Sequence, residues 1–515
     1  MEEITSQQLK NFDVIVIGAG LGGLGAAAHL ALKNQKVLLL EKHNSPGGFA
    51  TSFVRGRFEF EGALHELNDI GTEGNRGELY HFFKALNIVP EKVKFFQVPE
   101  IYSCKFYDGK QYTLPFGVPA YTNYLINEFP NHEKEIRKLI KVMENIYGGL
   151  KNLSKPGKII FKYPWLIRVI GYTITEFLER FIHNQRLINV IIQLWCYFGA
   201  TPSENNALLW VGGMMSYLTK GAAIPNLSSH NLSQAIADSI CDLGGTIRYN
   251  ALVNKIMMEN GKTIGVELIN GEKIYSDWVI SNVNPVCTLQ KMIPKDAIPK
   301  KYLKKVISPK LGTSIFTVYL GLNRTAEALG ITSYETFVNT SDDIHAIAQN
   351  TGINSTQMIV ATCYNLVNPE ISPAGTCMIA LSALHVGREW HNIPPNEYYQ
   401  IKDKVSNDLI TLFEEYLCPN VRESIEVCES ASPLTYYRYS KSLDGVIYGS
   451  NSSVDNSPVF KLGNKTPIPG LYFSGAWTNE GGGYSTALNS GRLAAKLLLK
   501  QKGKQNRTFG GKKNV

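Results

Sequence analysis

The chain has 515 residues, of which 44% are hydrophobic and 19% charged, with a formal net charge of +8. That composition excludes a disordered or fibrous chain, and the length exceeds what one simple core fills. Eight scattered cysteines, with no CxxC pair and no His/Cys cluster at ligand spacing, exclude a disulfide scaffold and a structural zinc site, so no metal is expected.

The first twelve residues, MEEITSQQLKNF, are polar and do not read as a signal peptide, and no window offers 18 uninterrupted apolar residues for a membrane span. The expectation is a protein of the cytoplasm or of the cytoplasmic face of a membrane. DVIVI follows, a β-branched run of the kind a buried parallel strand shows. It ends in Gly18-Ala19-Gly20-Leu21-Gly22-Gly23, a GxGxxG, and an Ala/Leu run after it reads as a helix. KVLLLE is a second strand, ending in Glu41, 18 residues beyond Gly23, with Lys42 beside it. Each part has a physical task in holding a dinucleotide. Gly18 permits the tight turn, and Gly20 lets backbone approach a pyrophosphate. Gly23 and Ala27 allow the helix to pack close, and its N-terminus offers free N–H groups to phosphate. Glu41 can accept from ribose hydroxyls and would repel a 2′-phosphate. In the next stretch, HNSPGGFATSF, Gly47-Gly48 with Thr51 and Ser52 resembles the second glycine motif of two-dinucleotide-binding flavoproteins, in which a short loop runs along the flavin's phosphates; the resemblance implies FAD rather than NAD, held by Gly47, Gly48 and Phe49.

Residues 81–224 break the α/β rhythm with helical apolar patterns such as LINVIIQLWCYFGA. Within them, KNLSKPGKIIFKYPWLIRVI (151–170) carries five basic residues, no acid, and Phe161, Tyr163 and Trp165. Basic, aromatic and aliphatic residues together suit peripheral contact with a membrane surface. LSQAIADSICDLGGTIRYNALVNKI resembles the helix and strand that return to the first unit in such flavoproteins. From 291 to 461, SIFTVYLGL, QMIVATCYNL and GTCMIALSAL read as strands, and EYYQIKDKVSNDLITLFEEYL as a helix. Those strands suggest a sheet with one face roofing the cofactor. Trp195, Tyr197, Phe198, Trp210, Phe316 and Tyr319 are candidates for core or for a long apolar tunnel. Near the end, LYFSGAWTNEGGGYSTALNSG reads as a strand, a tight turn at Gly475-Ala476, a glycine loop through Gly483, and a helix beginning near Tyr484 and Ser485. Residues 501–515 are basic and read as a disordered tail.

These stretches together resemble the FAD-dependent phytoene desaturase, carotenoid isomerase and retinol saturase group, which is related to the flavin amine oxidases. The resemblance rests on DVIVIGAGLGGLGAAAHL, EKHNSPGGFATSF, RFEFEGALHEL, ASPLTYYRYSKSLDGVIYG and PGLYFSGAWTNEGGGYSTALNSGRLAAKLLL. It implies an α/β fold: a two-dinucleotide-binding FAD domain from residues 12–80, 225–290 and 462–500, and an inserted α+β substrate domain from 81–224 and 291–461. It implies that Val253 meets the adenine and that Gly475, Ala476, Gly483 and Tyr484 lie at the flavin. The chain departs from the group at Phe60-Glu61-Gly62-Ala63, where the glycine falls one place early, and at Glu480, where proline is usual. His65 matches the saturase and isomerase branches.

The implied activity is desaturation, saturation or cis–trans isomerisation of a long apolar polyene, with His65, Glu61, Glu66, Arg438 and Glu480 as candidate acid/base groups. A flavin amine oxidase, with Trp477 and Tyr484 flanking the ring, is the alternative. A prenyl-binding protein like the Rab GDP-dissociation inhibitors, without catalysis, is the third. The expected partner is an apolar small molecule, not nucleic acid, and the oligomeric state stays open.

Overall fold

A computed structural model describes residues 11–153, 159–457 and 461–510. Two sheets organise it. The first is built from short apolar strands that are buried on both faces, as a wholly parallel sheet requires. Its order is Thr246–Arg248, Val37–Leu40, Val14–Ile17, Val279–Ser281 and Leu471–Phe473, all parallel. Val14 and Val16 pack on one face with the helices Leu21–Ala31 and Ser229–Asp242, and Ile15 and Ile17 on the other with the strands from 253 to 275.

The second sheet has seven strands, in the order Gln111–Pro115, Glu100–Phe106, Glu335–Asn339, Met358–Cys363, Cys377–His385, Ser314–Leu322 and Ile425–Ala431. Its pairs are antiparallel except one: Glu100–Phe106 runs parallel to Glu335–Asn339 and so joins the two inserted pieces of chain. Strand alternation sorts its side chains. Phe316, Val318, Leu320 and Leu322 pack with Val405, Leu409 and Phe413 of the helix Tyr398–Tyr416, while Ile315, Thr317 and Tyr319 face a cavity. Met358, Val360, Ala380, Ser382 and Leu384 continue that cavity-facing surface on two neighbouring strands. The expected roof is therefore built, with a helix behind it.

Three differences from the sequence reading stand out. The hairpin Glu100–Pro115 lies in a stretch that reads as helical; its strands pair with each other across a turn at Asp108-Gly109, and Glu100–Phe106 pairs on its other edge with 335–339, far along the chain. LINVIIQLWCYF is a helix only to Ile192 and tightens into a 3-10 turn from Gln193 to Phe198. The C-terminal helix starts at Tyr484 and runs to Gly510, so residues 501–510, read as disordered, continue it; 511–515 lie outside the described residues. Lys502 ties that extension back, donating to Asp13 at 2.7 Å and to Gln35 at 2.8 Å. Part of the basic segment, 154–158, also lies outside the described residues.

Candidate active site

Two glycine turns, one from each end of the chain, meet at the carboxyl end of the parallel sheet. Gly18 follows its strand with φ +91°, and Gly475 follows another with φ +88°. Both are left-handed conformations that side chains rarely adopt. A Cβ on Gly22 would fall 2.6 Å from the backbone nitrogen of Gly475. A Cβ on Gly23 would strike the Gly18 carbonyl at 1.8 Å, so Gly23 closes the turn itself. The helices Leu21–Ala31 and Tyr484–Gly510 touch through glycine as well: Gly25 would meet the Leu488 carbonyl, and Gly491 that of Gly22. Gly25 stands outside the GxGxxG, and Gly491 closes the C-terminal glycine-rich stretch.

Glu41 ends its strand beside this junction. It is buried, and its Oε2 accepts the Ala19 N–H at 2.6 Å while Oε1 accepts that of His43 at 2.9 Å. Ala19 thus serves the carboxylate rather than lining the cavity. Gly47 donates its N–H to the Ala19 carbonyl at 2.8 Å, which clamps the second glycine loop onto the first. Lys42 reaches across to the Tyr439 carbonyl at 3.0 Å, and burial lowers its pKa. Asn282, which sequence reading missed, stands among both turns: an added Cβ would meet its amide at 2.8 Å from Gly20, 2.4 Å from Gly22 and 2.3 Å from Gly475. Its one sequence signal is position, immediately after the strand Val279–Ser281.

From this junction a single cavity of about 1260 Å³ extends under the seven-stranded sheet. Gly18, Gly20, Leu21, Gly22, Glu41, Lys42, Gly47, Gly48, Phe49, Val253, Gly475, Ala476, Gly483 and Tyr484 all line it. The glycines leave room that a Cβ would fill, and an acid sits at the strand end, so the residues fit a dinucleotide. Tyr484 donates its hydroxyl to the Phe49 carbonyl at 2.8 Å, and Phe49 stacks on Tyr436 at 5.8 Å. Of the candidate aromatics, Trp195, Tyr197, Phe198 and Tyr319 line the cavity, whereas Trp210 and Phe316 are core.

The candidate acid/base groups separate. Arg438 is exposed, lies outside the cavity lining, and rests over the Tyr439 ring at 5.8 Å, which corrects its expected place in the site. Glu61 lines the cavity but its carboxyl caps a helix, accepting the Ser229 backbone N–H at 2.8 Å and the Ser229 hydroxyl. Burial pushes it up to about 8. Glu480 and Trp477 also line the cavity, and burial raises the Glu480 pKa. His65 is the most elaborately held. Its Nδ1 is 3.0 Å from Glu335 and 3.3 Å from Thr362, and its Nε2 is 3.4 Å from the Ser382 hydroxyl. Tyr197 donates to both Glu335 oxygens, at 2.6 and 2.7 Å, and stands edge-on to the imidazole. A histidine oriented by a buried carboxylate is equipped to hold or move a proton.

A parallel sheet with two glycine turns meeting beside an acidic strand end, opening on a largely apolar cavity, defines a dinucleotide-dependent oxidoreductase. The family described as flavin containing amine oxidoreductase matches residues 21–499, and the chain belongs to that family. Its cofactor is FAD. The chain is 24% identical to prolycopene isomerase 1 of an Oncidium hybrid cultivar, over 96% of this chain and 86% of that protein. It is 22% identical to an all-trans-retinol 13,14-reductase of Danio rerio, over 92% of this chain and 83% of that one. The solved structure of an oxidoreductase from Methanosarcina mazei superposes with a TM-score of 0.65 at 18% identity, covering 94% of this chain and 99% of that one.

Proposed function

We propose that the protein is an FAD-dependent oxidoreductase acting on carbon–carbon bonds of a long apolar isoprenoid or polyene, as a desaturase, saturase or cis–trans isomerase. The observation that carries this reading is the continuity of the cavity, from the glycine junction to a compartment walled by Trp195, Phe198, Val360 and Leu384. The two relatives named for polyene and retinoid chemistry support it. FAD supplies the capacity to accept or return a hydride. The chain's own residues do the rest. Gly18, Gly20, Glu41, Gly47 and Gly475 hold the dinucleotide, the apolar walls exclude water and align the substrate, and His65, fixed by Glu335, manages protons. The amine oxidase alternative needs a polar cage, and the walls away from the glycine junction are chiefly aromatic and aliphatic. The intact glycine junction argues against a prenyl-binding protein without cofactor.

The substrate's insolubility favours entry from a lipid surface. Leu153, Ile167 and Ile170 line the cavity and also belong to the basic segment, where Phe161 is 90% exposed and Lys162 and Arg168 flank it. Among the described residues no helix is long and apolar enough to cross a membrane. A patch of exposed aromatic and aliphatic side chains ringed by cations suits peripheral attachment to an anionic bilayer.

Incubating the purified flavoprotein anaerobically with polyenes, retinoids and amines tests the reading. Change in the flavin spectrum or isomer composition with polyenes or retinoids is expected. Flavin bleaching by amines alone would overturn it.

A further inference from the structure

A share of the net positive charge gathers where the scheme above gives it no task. Between residues 295 and 310 the chain carries Lys295, Lys300, Lys301, Lys304, Lys305 and Lys310 and a single acid, Asp296. All six lysines are exposed. Lys310 has a carboxylate partner, Glu204 at 3.4 Å, while the other five form no ion pair among the described residues. Four of the six belong to the helix Lys300–Ile307, whose Tyr302, Leu303 and Val306 pack inward with the strands from 253 to 275. Lys300 and Lys304 stand one turn apart on its outer side, as do Lys301 and Lys305, and like charges so placed repel. That repulsion weakens the helix, and no interleaved acid offsets it. A partner of opposite charge would.

The end of this run lies close to the cofactor end of the cavity. The Lys310 carbonyl accepts the Asn451 N–H at 3.0 Å, and Gly312 donates its N–H to the Gly449 carbonyl at 2.9 Å. Tyr448 and Gly449 press in turn on the C-terminal glycine loop. A Cβ on Gly449 would fall 2.7 Å from the Ala476 carbonyl, and one on Gly482 would fall 2.5 Å from Tyr448 Cα. Tyr448, Gly449, Ala476 and Gly482 all line the cavity. One layer of backbone therefore separates the end of the cationic run from the loop at 475–483.

We propose that residues 295–310 form a docking face for a small acidic electron-carrier protein that exchanges electrons with the bound FAD. The inference rests on the flavin and not on the polyene reading. Each reduced carrier gives up one electron, so two of them, with two protons from solvent, reduce one FAD to its dihydro form. A desaturase would return the electrons to oxidised carriers by the same face. A bilayer fits this face less well. From 295 to 310 the one exposed large apolar side chain is Ile307, at 47%, whereas the segment already assigned to a lipid surface exposes Phe161 at 90%. A face that is charged and nearly free of apolar groups speeds encounter more than it prolongs contact. That suits a carrier that must bind, transfer and leave.

The test uses the holoenzyme with two acidic probes, a flavodoxin and a plant-type ferredoxin, and with cytochrome c as a basic control. Calorimetry at low and high salt reads binding, and anaerobic stopped-flow absorbance reads flavin reduction by the reduced carrier. Wild type is expected to bind an acidic carrier, more weakly as salt rises, and not to bind cytochrome c. The double variant Lys300→Glu, Lys304→Glu should weaken that binding by about 10- to 100-fold and slow reduction by the carrier in proportion. Its flavin content and its photochemical reduction should match wild type, which shows a folded protein with its cofactor in place. Lys300→Gln with Lys304→Gln should fall between the two. Failure of wild type to bind either acidic carrier overturns the inference, as does equal binding of cytochrome c. Carrier binding unchanged in the double glutamate variant overturns it too, and loss of anionic-vesicle binding by that variant would then assign the face to lipid. None of these measurements involves a polyene, so the substrate reading stands or falls separately.

Discussion

The glycine junction and the wall of the cavity are built on opposite principles. At the junction the main chain does the work. Gly22, Gly475 and Gly491 bring backbone against backbone so closely that a single Cβ has no room. In the wall the side chains do the work, and they arrive singly from distant segments: His65 from the first hundred residues, Tyr197 from a 3-10 turn and Ser382 from a strand of the roof, with Glu335 of a second strand buried behind His65. The junction tolerates no variation in shape, whereas the wall can change its chemistry without changing its backbone. One architecture can carry different activities when its cofactor is held by backbone and its wall is built of single side chains.

The largest expected effect lies at the junction. Gly475→Val should lose FAD as completely as Gly20→Val, although 455 residues separate the two positions. At Gly475 the new side chain meets both a left-handed backbone and the Asn282 amide; at Gly20 it meets that same amide. The ratio of flavin to protein absorbance after purification measures it. Gly503→Ala, on the C-terminal helix with open space around it, should retain full flavin. A Gly475 variant that keeps its cofactor would break the idea that the two chain ends form one site.

The second effect tests whether the wall can be altered independently. His65→Ala should lower turnover on the accepted polyene by roughly 100-fold, the range of a lost general acid/base group, with flavin content unchanged. Glu335→Gln should act through His65 and cost less, since Tyr197 and Thr362 can still contact the amide. Loss of FAD in either variant would show that wall and junction are not separable. A smaller effect is expected outside both. Phe161→Asp should weaken co-sedimentation with anionic vesicles several-fold and leave turnover on detergent-solubilised substrate unaltered. Unchanged vesicle binding would remove the membrane reading.

The same contrast explains what the sequence could reveal. Backbone recognition leaves a spaced motif, so the strand–turn–helix from Asp13 to Ala31 and the turn at Gly475 are visible in the letters. The roof was partly visible, because SIFTVYLGL is a short run rich in β-branched and aromatic residues, the composition of a strand, and the strand is buried almost throughout. The hairpin at 100–115 went unread although Asp108-Gly109 marks its turn, and only the fold shows that 100–106 also pairs with 335–339. Asn282 and Glu335 were invisible for a related reason: each is a single polar residue at a strand or strand end, and only the fold gives it neighbours. Arg438 was misread because a helix carries its side chain outward from a segment whose neighbour, Tyr436, does line the cavity.

The smallest expected effect belongs to Glu61, which stands between the two regions, lining the cavity while capping the helix that begins at Ser229. Its ordinary pKa near 4.5 rises in the folded protein to about 8, with burial as the largest cause and the Ser229 hydrogen bonds opposing it. Between those two values the folded carboxyl keeps a proton that the unfolded one has lost. Unfolding there releases a proton, so this group's contribution to stability falls as pH rises through the window. The limiting slope is about 1.4 kcal/mol per pH unit for one full proton, and the Ser229 donors, by favouring the ionised form, narrow the window over which it applies. Glu61→Gln removes the titration while keeping an acceptor for the Ser229 N–H. The stability of wild type minus that of Glu61→Gln, from urea unfolding at several pH values, should therefore decline from pH 5 to pH 8. A difference that rises with pH would mean that the helix N-terminus outweighs burial and holds Glu61 as a carboxylate, which would make it part of the charged junction and not of the neutral wall.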